Sequence, residues 1–276
     1  MSTFGALVGD TGEMQRVYAE IERAAQVRLP VLIAGETGTG KELVAREIHE
    51  RGPRCEQPFV AVNTGALSRE LVASELFGHV RGAFTGAMTD RAGRFVEANH
   101  GTLFLDEIAT MDEHVQISLL RVLENSVFRA VGAKEDRSVD TRLIAATNSD
   151  LREAAGDGWF REDLLHRFQV LCINLPPLRE RVPDIPILVE HFLREMREGY
   201  GLEVHGVSEE IFDIFAAYQW PGNVRELKNV VAQAAVEAGD DRITCDHLPR
   251  RLREDAREFA AEASETFARE PGSREA

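Results

Sequence analysis

The sequence predicts an α/β protein built around a phosphate-binding loop, followed by an all-helical region. Residues 30–47 read PVLIAGETGTGKELVARE: an apolar run, then a glycine-rich loop ending in lysine, then apolar residues at helical spacing. Further apolar runs that fit buried strands are Pro58–Asn63, Thr102–Leu105 and Thr141–Ala146. The strand patterns stop at Leu175–Leu178, which reads LPPL, and helical patterns continue beyond it.

The glycine-rich loop has the composition of a nucleotide site. Its residues are Gly35, Glu36, Thr37, Gly38, Thr39, Gly40 and Lys41. Glycines let backbone N–H groups approach phosphate oxygens, the helix N-terminus adds a partial positive charge, and the lysine adds a full one. The flanking strand and helix favour this interpretation over a tight turn with a surface lysine. Glu42 stands where a magnesium-binding Ser or Thr is usual, so magnesium must use other ligands.

Polar residues follow two of the other predicted strands. Asp106 and Glu107 end one of them, where Asp106 could hold magnesium and Glu107 could polarise an attacking water. The alternative is a pair of solvated acids. Thr147 and Asn148 end another strand, and a polar side chain there could sense a terminal phosphate, although an isolated asparagine is more often a turn residue.

Two arginines lie in residues 159–168, WFREDLLHRF, which we expect to form one helix. Arg161 and Arg167 would then be roughly 120° apart around its axis, so they could not serve one contact in the same way. One could reach a neighbouring subunit's nucleotide while the other braces the interface. The alternative is two solvated arginines on a surface helix.

The segment Gly78–Ala92 has no helical or strand periodicity, and it contains GAFTGA at residues 82–87. An exposed phenylalanine costs roughly 2 kcal/mol unless a partner covers it. The residues alone leave two alternatives equally open: Phe84 waits for a partner, or it packs into the core of its own subunit.

Composition restricts the possible partners. The 276 residues carry 32 basic and 47 acidic side chains, a net charge of −15, which disfavours independent binding to nucleic acid. The cysteines, Cys55, Cys172 and Cys245, are far apart and without metal-site spacing, which is typical of reduced thiols in a cytosolic protein. Without a signal pattern or a membrane-length apolar run, we expect a soluble cytoplasmic protein that does not bind membranes.

The region after residue 175 is predicted to be helical, with one helix at Ile185–Tyr200 and another after Ser208. Asn223 and Glu226 have the spacing of a capping box, which would put Arg225 in the first turn of a third helix, pointing away from its core. Residues 250–276 are highly charged, and we expect a frayed helix and a partly disordered end.

Six motifs occur in one order along the chain, namely GETGTGKE, GAFTGA, GTLFLDE, AATN, LPPLRER and WPGNVREL. From Leu7 to Pro249 the sequence resembles the central AAA+ domain of bacterial enhancer-binding proteins, the activators of sigma-54 RNA polymerase. GAFTGA is the most specific of these motifs, and Glu42 after the lysine is itself typical of the family.

The resemblance implies an AAA+ P-loop NTPase fold. A parallel five-stranded sheet sandwiched by helices would occupy residues 1–174, a small α-helical lid residues 175–249, and the charged tail residues 250–276. The resemblance also implies that Lys41 and its loop bind the phosphates of ATP, that Asp106 binds Mg²⁺, and that Glu107 completes the Walker B pair.

Roles for the remaining motif residues also follow from the resemblance. Asn63 matches the residue that couples Glu107 to the nucleotide state, and Thr147 with Asn148 matches sensor I. Arg161 and Arg167 match arginine fingers acting across subunits. The other implied roles are sensor II for Arg225, contact with sigma-54 for Gly82, Ala83, Gly86 and Ala87, and the tip of that mobile contact loop for Phe84 and Thr85.

The resemblance implies a ring of identical subunits, expected to be a hexamer, that acts on the sigma-54 RNA polymerase holoenzyme. No sensory domain is recognisable before Leu7 and no helix-turn-helix after Pro249. We therefore expect a piece of a longer protein, or a member that reaches promoter DNA only indirectly.

Two rivals remain open. The first is another AAA+ remodelling ATPase, which has no reason to carry GAFTGA. The second is a non-catalytic regulatory subunit of a full-length activator, which has no need for intact Lys41, Asp106, Glu107 and Arg161.

Overall fold

The computed structural model describes residues 3–254, apart from the side chains of Arg69 and Glu70. Within this range the chain divides into two compact units. The α/β unit consists of Phe4–Leu7 and Gly12–Pro176, and the helical unit consists of Thr3, Val8–Thr11 and residues 177–254. Of the predicted charged tail, residues 250–254 are helical and residues 255–276 lie outside the described residues.

The strands are β1 (Thr3–Phe4), β2 (Leu7–Val8), β3 (Val31–Ala34), β4 (Phe59–Asn63), β5 (Gly78–His79), β6 (Arg91–Ala92), β7 (Thr102–Asp106), β8 (Val127–Phe128), β9 (Arg137–Ser138), β10 (Arg142–Thr147) and β11 (Cys172–Asn174). The helices are α1 (Gly12–Ala25), α2 (Lys41–Glu50), α3 (Arg69–Phe77), α4 (Arg94–Glu97), α5 (Glu113–Asn125), α6 (Leu151–Gly156), α7 (Glu162–Phe168), α8 (Ile185–Tyr200), α9 (Glu209–Ala217) and α10 (Asn223–Ala238). Between residues 3 and 254, none of the helices combines the length and apolar character needed to cross a bilayer.

A parallel five-stranded sheet forms the centre of the α/β unit, with strand order β11-β3-β10-β7-β4. The predicted parallel five-stranded sheet is therefore confirmed, and four of its strands follow the apolar runs in the sequence. The fifth, β11, is a three-residue edge strand in which only Ile173 is buried. A strand this short leaves too little alternation to be recognised from sequence.

Helices cover both faces of this sheet. Val31 and Ile33 of β3 belong to one apolar cluster with residues of α1 and α2. Leu32, between them, belongs to the opposite cluster with residues of α3, α5 and α7. This alternation follows from the two-residue period of a strand, and burial of both faces explains why the strands are almost entirely apolar.

Parallel strands bring their carboxyl ends to one edge of the sheet. Ala34 at the end of β3 is in register with Thr147 of β10, and Asn63 at the end of β4 is in register with Asp106 of β7. The loops after these four strands therefore emerge side by side, at the edge where ligands bind in open α/β sheets.

Two segments between the main elements contain short paired strands. Strands β5 and β6 pair antiparallel at the base of the GAFTGA segment. Strands β8 and β9 pair antiparallel within Asn125–Asp140. Phe128 of β8 is buried in the apolar cluster beside α3 and α5, which anchors the hairpin.

The helical unit packs α8, α9 and α10 around the fully buried Trp220. Its predicted capping box is wrong in detail, because the Glu226 carboxylate accepts from the N–H of Gly222 at 2.8 Å rather than from Asn223. Asn223 instead has a positive φ of 52° and accepts from the N–H of Leu178 at 2.8 Å. The asparagine side chain thus ties α10 to the turn that begins the unit.

Candidate functional site

The glycine-rich loop connects β3 to α2. Gly38 and Gly40 have φ angles of 82° and 105°, a region that side-chain-bearing residues rarely adopt. Gly40 is the N-cap of α2 and has no side chain with which to cap the first turn. The N-terminus of α2 therefore has no side-chain cap, and the helix dipole favours an anion there.

Lys41 is buried, with 8% of its surface exposed. Its Nζ donates to the carbonyl oxygens of Gly35 at 2.7 Å and Glu36 at 3.0 Å, which orients the ammonium group within the loop. Glu42 points outward from the first turn of α2, where its carboxylate pairs with Arg46 at 2.9 Å. The lysine rather than the glutamate thus faces the loop interior.

Asn148 lies beside the phosphate loop. Its Nδ2 donates to the Oγ1 of Thr37 at 3.2 Å, and the N–H of Gly35 donates to the carbonyl of Thr147 at 3.2 Å. Two segments that are 111 residues apart in sequence therefore form one surface. A polar amide at this position can contact a phosphate held by the loop.

Asp106 and Glu107 form a strained turn at the end of β7. Glu107 has φ 60° and ψ 44°, the left-handed region, which costs a residue with a side chain about 1 kcal/mol or more. Its N–H donates to the Oδ1 of Asp106 at 3.0 Å. The hydroxyl of buried Thr64 lies 2.9 Å from the carbonyl oxygens of both acids. Such strain is typical of a catalytic residue held by its surroundings.

Asn63 lies next to these acids at the end of β4. Its Oδ1 accepts from the N–H of Ala66 at 3.0 Å, which orders the following turn. A Cβ atom built on Gly65 in that turn would overlap with the Glu107 carboxylate. The glycine therefore gives the Glu107 carboxylate room immediately beside Asn63.

Asp106 fits a magnesium ion whose other ligands come from a bound nucleotide and from water. Nowhere in the described part of the chain do three or more His, Cys, Asp or Glu side chains form a metal-binding group. Magnesium held with a nucleotide needs only one or two carboxylates, since phosphates and waters complete its shell. Asp106 is half-buried at the site edge, with a single strand, β10, between its own strand and β3.

The two candidate arginines do not share a helix, contrary to prediction. Helix α7 begins at Glu162, and Arg161 precedes it in an extended conformation with ψ 132°. The expected separation of 120° around one axis is therefore wrong. The helix begins at Glu162 rather than at residue 159 for two reasons. The acidic side chains of Glu162 and Asp163 are favourable at the positive N-terminus of a helix. The N–H of Arg161 donates to the side chain of Gln116 at 2.8 Å.

Both arginines make ion pairs within the subunit. Arg161 pairs with Asp163 at 2.8 Å and with Glu113 at 3.3 Å. The hydrogen bond from Arg161 lowers the pKa of the Asp163 carboxyl below its ordinary value. Arg167 pairs with Glu124 at 2.7 Å. In the helical unit, Arg225 is exposed in the first turn of α10, as the sequence predicted.

The GAFTGA segment forms a compact loop tip. The N–H of Gly82 donates to the carbonyl of Ala87 at 2.9 Å, and the N–H of Ala87 donates to the carbonyl of Phe84 at 3.0 Å. Gly82 and Gly86 have φ angles of 81° and 101°, so these turns need glycine. Thr85 is exposed, whereas Ala87 is buried beneath the tip.

Phe84 fits neither of the two sequence-based alternatives completely. Its ring lies edge-on to His79 with centroids 5.0 Å apart, yet 41% of the residue remains exposed. His79 is fixed in turn by Ser74, whose Oγ lies 2.7 Å from its Nδ1. The phenylalanine therefore rests on a polar support outside the apolar core.

Sequence reasoning missed several residues that organise the site, among them Thr64, Gln116 and His79. Thr64 directly follows Asn63, so its position after a predicted strand was an available signal. Gln116 lies one residue beyond Val115 on the buried side of α5 and is 1% exposed. Its helix pattern is that of an ordinary amphipathic helix, in which one glutamine does not stand out.

The Sigma-54 interaction domain family matches residues 7–174, and the AAA+ ATPase lid domain family matches residues 179–265. Transcriptional regulatory protein XylR of Pseudomonas putida is 48% identical over 229 residues, covering 83% of this chain and 40% of XylR. DNA-binding transcriptional regulator NtrC of Rhizobium meliloti (strain 1021) is 47% identical over 247 residues, covering 90% of this chain and 51% of NtrC.

A crystal structure of NtrX from Brucella abortus in complex with ATP superposes with a TM-score of 0.85 at 36% identity, covering 90% of this chain and 55% of that one. The chain spans about half the length of the curated relatives that it matches. The chain belongs to the Sigma-54 interaction domain family, its C-terminal part matches the AAA+ ATPase lid domain family, and its fold is that of an AAA+ P-loop NTPase.

Proposed function

We propose that this chain assembles into a ring, hydrolyses ATP between subunits, and uses that energy to remodel the closed complex of sigma-54 RNA polymerase into the open promoter complex. One observation carries the proposal. The ends of neighbouring parallel strands bring Lys41, Asn148, Asp106 and Glu107 to one edge of the sheet. These residue types together are what phosphoryl transfer to water requires.

ATP binds through the loop formed by Gly35, Glu36, Thr37, Gly38, Thr39, Gly40 and Lys41. Backbone N–H groups at the start of α2 and the Lys41 ammonium hold the phosphates, and Asn148 contacts the terminal one. The buried position of Lys41 and the Asn148–Thr37 hydrogen bond support this arrangement. NtrX, whose fold is shared, has been crystallised with ATP and with ADP.

Asp106 holds Mg²⁺ directly or through water. When bound, the ion would supply positive charge beside the phosphates. Glu42 occupies the position that would otherwise provide a hydroxyl ligand, and its pairing with Arg46 directs its carboxylate along the outside of α2. Asp106 is therefore the protein ligand on which the site depends.

Glu107 acts as the general base that accepts a proton from the attacking water. Its left-handed backbone and the space over Gly65 hold the carboxylate next to Asn63. Asn63 couples the orientation of Glu107 to the presence of the terminal phosphate, so that water is activated only when ATP is in position.

The ring, which we propose is a hexamer, completes each site with residues from a second subunit. Arg161 and Arg167 reach the neighbouring nucleotide, and Arg225 contributes from the lid. In the single subunit, Asp163, Glu113 and Glu124 already neutralise the two fingers. These pairs are exposed and therefore weak, so a phosphate can replace the carboxylates.

The GAFTGA loop transmits the nucleotide state to the polymerase. Gly82, Ala83, Phe84, Thr85 and Gly86 form its contact surface, with Phe84 and Thr85 foremost. Ala87, which is buried, closes the turn beneath them. Phe84 leans on one side against His79 and offers the other side to a partner. The terminal phosphate biases this loop between a lowered and a raised state, and the raised state engages sigma-54.

We propose that residues 1–174 form the ATPase core, residues 175–249 the lid and residues 250–276 a charged tail. Promoter DNA is then reached only through the polymerase, which suits a chain of net charge −15. Because bacterial transcription takes place in the cytoplasm, we propose that location for the protein.

Binding of sigma-54 tests the proposal directly. Purified chain is mixed with sigma-54 and ADP plus aluminium fluoride, a mimic of the transferring phosphoryl group, and separated by gel filtration. We expect co-elution with the mimic but not with ADP alone, and loss of co-elution for Phe84→Ala. Elution of the two proteins apart under all conditions would contradict the proposed partner.

A further inference from the structure

Gln116 of α5 joins two backbone segments that are far apart in sequence. Its Nε2 donates to the carbonyl of Met111 at 2.9 Å and to the carbonyl of Trp159 at 3.0 Å. Its Oε1 accepts from the N–H of Arg161 at 2.8 Å. With 1% of the residue exposed, these bonds form without competing water.

The chemistry of this contact requires an amide. Both N–H donors and the carbonyl oxygen of Gln116 are engaged at once, which neither a carboxylate nor an apolar side chain can reproduce. Removal of the amide would leave the backbone groups of three residues without these partners in a buried place, and such groups are costly to leave unsatisfied.

One end of the contact lies just beyond the Walker B acids. The N–H of Thr110 donates to the carbonyl of Glu107 at 3.0 Å, and the N–H of Met111 donates to the carbonyl of Ile108 at 3.3 Å. The hydroxyl of Thr110 also donates to the carbonyl of Glu107 at 2.8 Å. Met111 therefore lies at the end of the hydrogen-bonded turn that begins at the catalytic Glu107.

The other end is the turn that presents Arg161. Upstream, the N–H groups of Trp159 and Phe160 donate to the carbonyl of Ala154 at 2.9 Å and 3.1 Å. Phe160 is buried, whereas 69% of Trp159 is exposed. Between this turn and the first turn of α7, the backbone N–H of Arg161 is held by Gln116.

We propose that Gln116 is a positioning residue that fixes Arg161 for contact with the nucleotide of the neighbouring subunit and links it to the Glu107 turn of its own subunit. This inference rests on the proposed function, since it requires Arg161 to act across a ring interface. Gln116 itself touches no nucleotide. Loss of its amide misplaces the finger while the phosphate loop of the same subunit stays intact.

Mixed rings separate an effect on the finger from an effect on the subunit's own site. Lys41→Ala subunits cannot hold phosphates but can supply Arg161, and Arg161→Ala subunits do the reverse. A mixture of these two inactive variants should regain hydrolysis at interfaces where each provides what the other lacks. If this reference mixture stays inactive, Arg161 does not act across subunits. Both the proposed ring mechanism and the proposed role of Gln116 would then be overturned.

Gln116→Met preserves length and removes the amide, and it should lower kcat about 10- to 100-fold. Binding of a fluorescent ATP analogue should change less than threefold. Mixing this variant with Lys41→Ala should restore hydrolysis to the level of the reference mixture, whereas mixing with Arg161→Ala should restore none. Gln233→Leu, at an exposed glutamine of α10, is the matched control and should hydrolyse ATP at the wild-type rate.

The reverse mixing pattern, rescue by Arg161→Ala alone, would overturn the proposal because it locates the defect in the variant's own nucleotide site. Wild-type turnover by Gln116→Met would also overturn it. Gln116→Asn keeps the amide on a shorter side chain. It serves as a second variant in case Gln116→Met misfolds, and it should give the same mixing pattern. If both variants lose nucleotide binding and are rescued by neither partner, Gln116 is structural and the proposal fails.

Discussion

Asn148 donates a hydrogen bond from its side-chain amide to the hydroxyl of Thr37, across 3.2 Å. The contact joins the loop after β10 to the phosphate loop after β3, two strands that are paired in parallel register. Because both loops leave rigid strands, the amide has a defined position relative to a bound phosphate. We propose that Asn148, in this position, responds to whether the terminal phosphate of ATP is present.

Asn148→Ala should lower kcat for ATP hydrolysis about 10- to 100-fold, because a donor to the developing phosphate charge is lost. Affinity for ADP, measured with a fluorescent analogue, should change less than threefold, since ADP lacks the phosphate that Asn148 contacts. Thr37→Val removes only the hydroxyl partner and should cost less turnover than Asn148→Ala. Wild-type turnover by Asn148→Ala would show that the amide serves the turn alone.

Glu107→Gln should bind ATP normally and hydrolyse it at least about 100-fold more slowly, because the amide cannot accept the proton of the attacking water. Single-turnover hydrolysis with protein in excess measures the chemical step separately from product release. Glu22→Gln, at an exposed position of α1, is the control for loss of one negative charge. If Glu107→Gln carries out multiple turnovers at the normal rate, Glu107 is not the general base.

Phe84→Ala and Thr85→Ala should retain most ATP hydrolysis but fail to support open-complex formation by sigma-54 polymerase. We expect hydrolysis to persist without activation because the loop lies outside the nucleotide site, where Phe84 packs against His79. Met88→Ala serves as the matched control, because Met88 is 76% exposed and lies just outside the GAFTGA residues. Activation that persists in both loop variants would contradict the assigned contact.

The sheet strands of the α/β unit and the edge at which the site lies could be predicted from sequence where strands are apolar and loops are short. The strand–loop–helix pattern around Lys41 and the acids after β7 identified the site edge, because parallel strands must end together. The start of α7 could not be predicted, since Arg161 is held by a side chain 45 residues away. The two-residue strands β8 and β9 were missed for a related reason: they are defined by pairing and by burial of Phe128, not by local periodicity.

Asp184 provides a stability test within the helical unit. Its fully buried carboxylate accepts from the N–H groups of Asp10 at 2.7 Å and Thr11 at 3.0 Å, and from the Thr11 hydroxyl at 2.8 Å. Asp184→Ala should lower the free energy of unfolding of this unit by about 3 kcal/mol, because these donors lose a charged partner.

Urea unfolding followed by Trp220 fluorescence measures this change, with Trp159→Phe as background so that the buried Trp220 is the sole tryptophan signal. Asp213→Ala, at an exposed position of α9, should stay within about 0.5 kcal/mol of the background protein. Equal stability of the two alanine variants would mean that the Asp184 contacts contribute nothing to the unit.

We propose that ATP is cleaved at sites completed by two subunits. Steady-state hydrolysis per subunit, measured over a wide range of protein concentration, distinguishes shared sites from sites that are complete within one subunit. We expect the rate per subunit to rise steeply with concentration and then to level off as rings fill. No hydrolysis at any concentration, or a rate per subunit that is the same at every dilution, would contradict it.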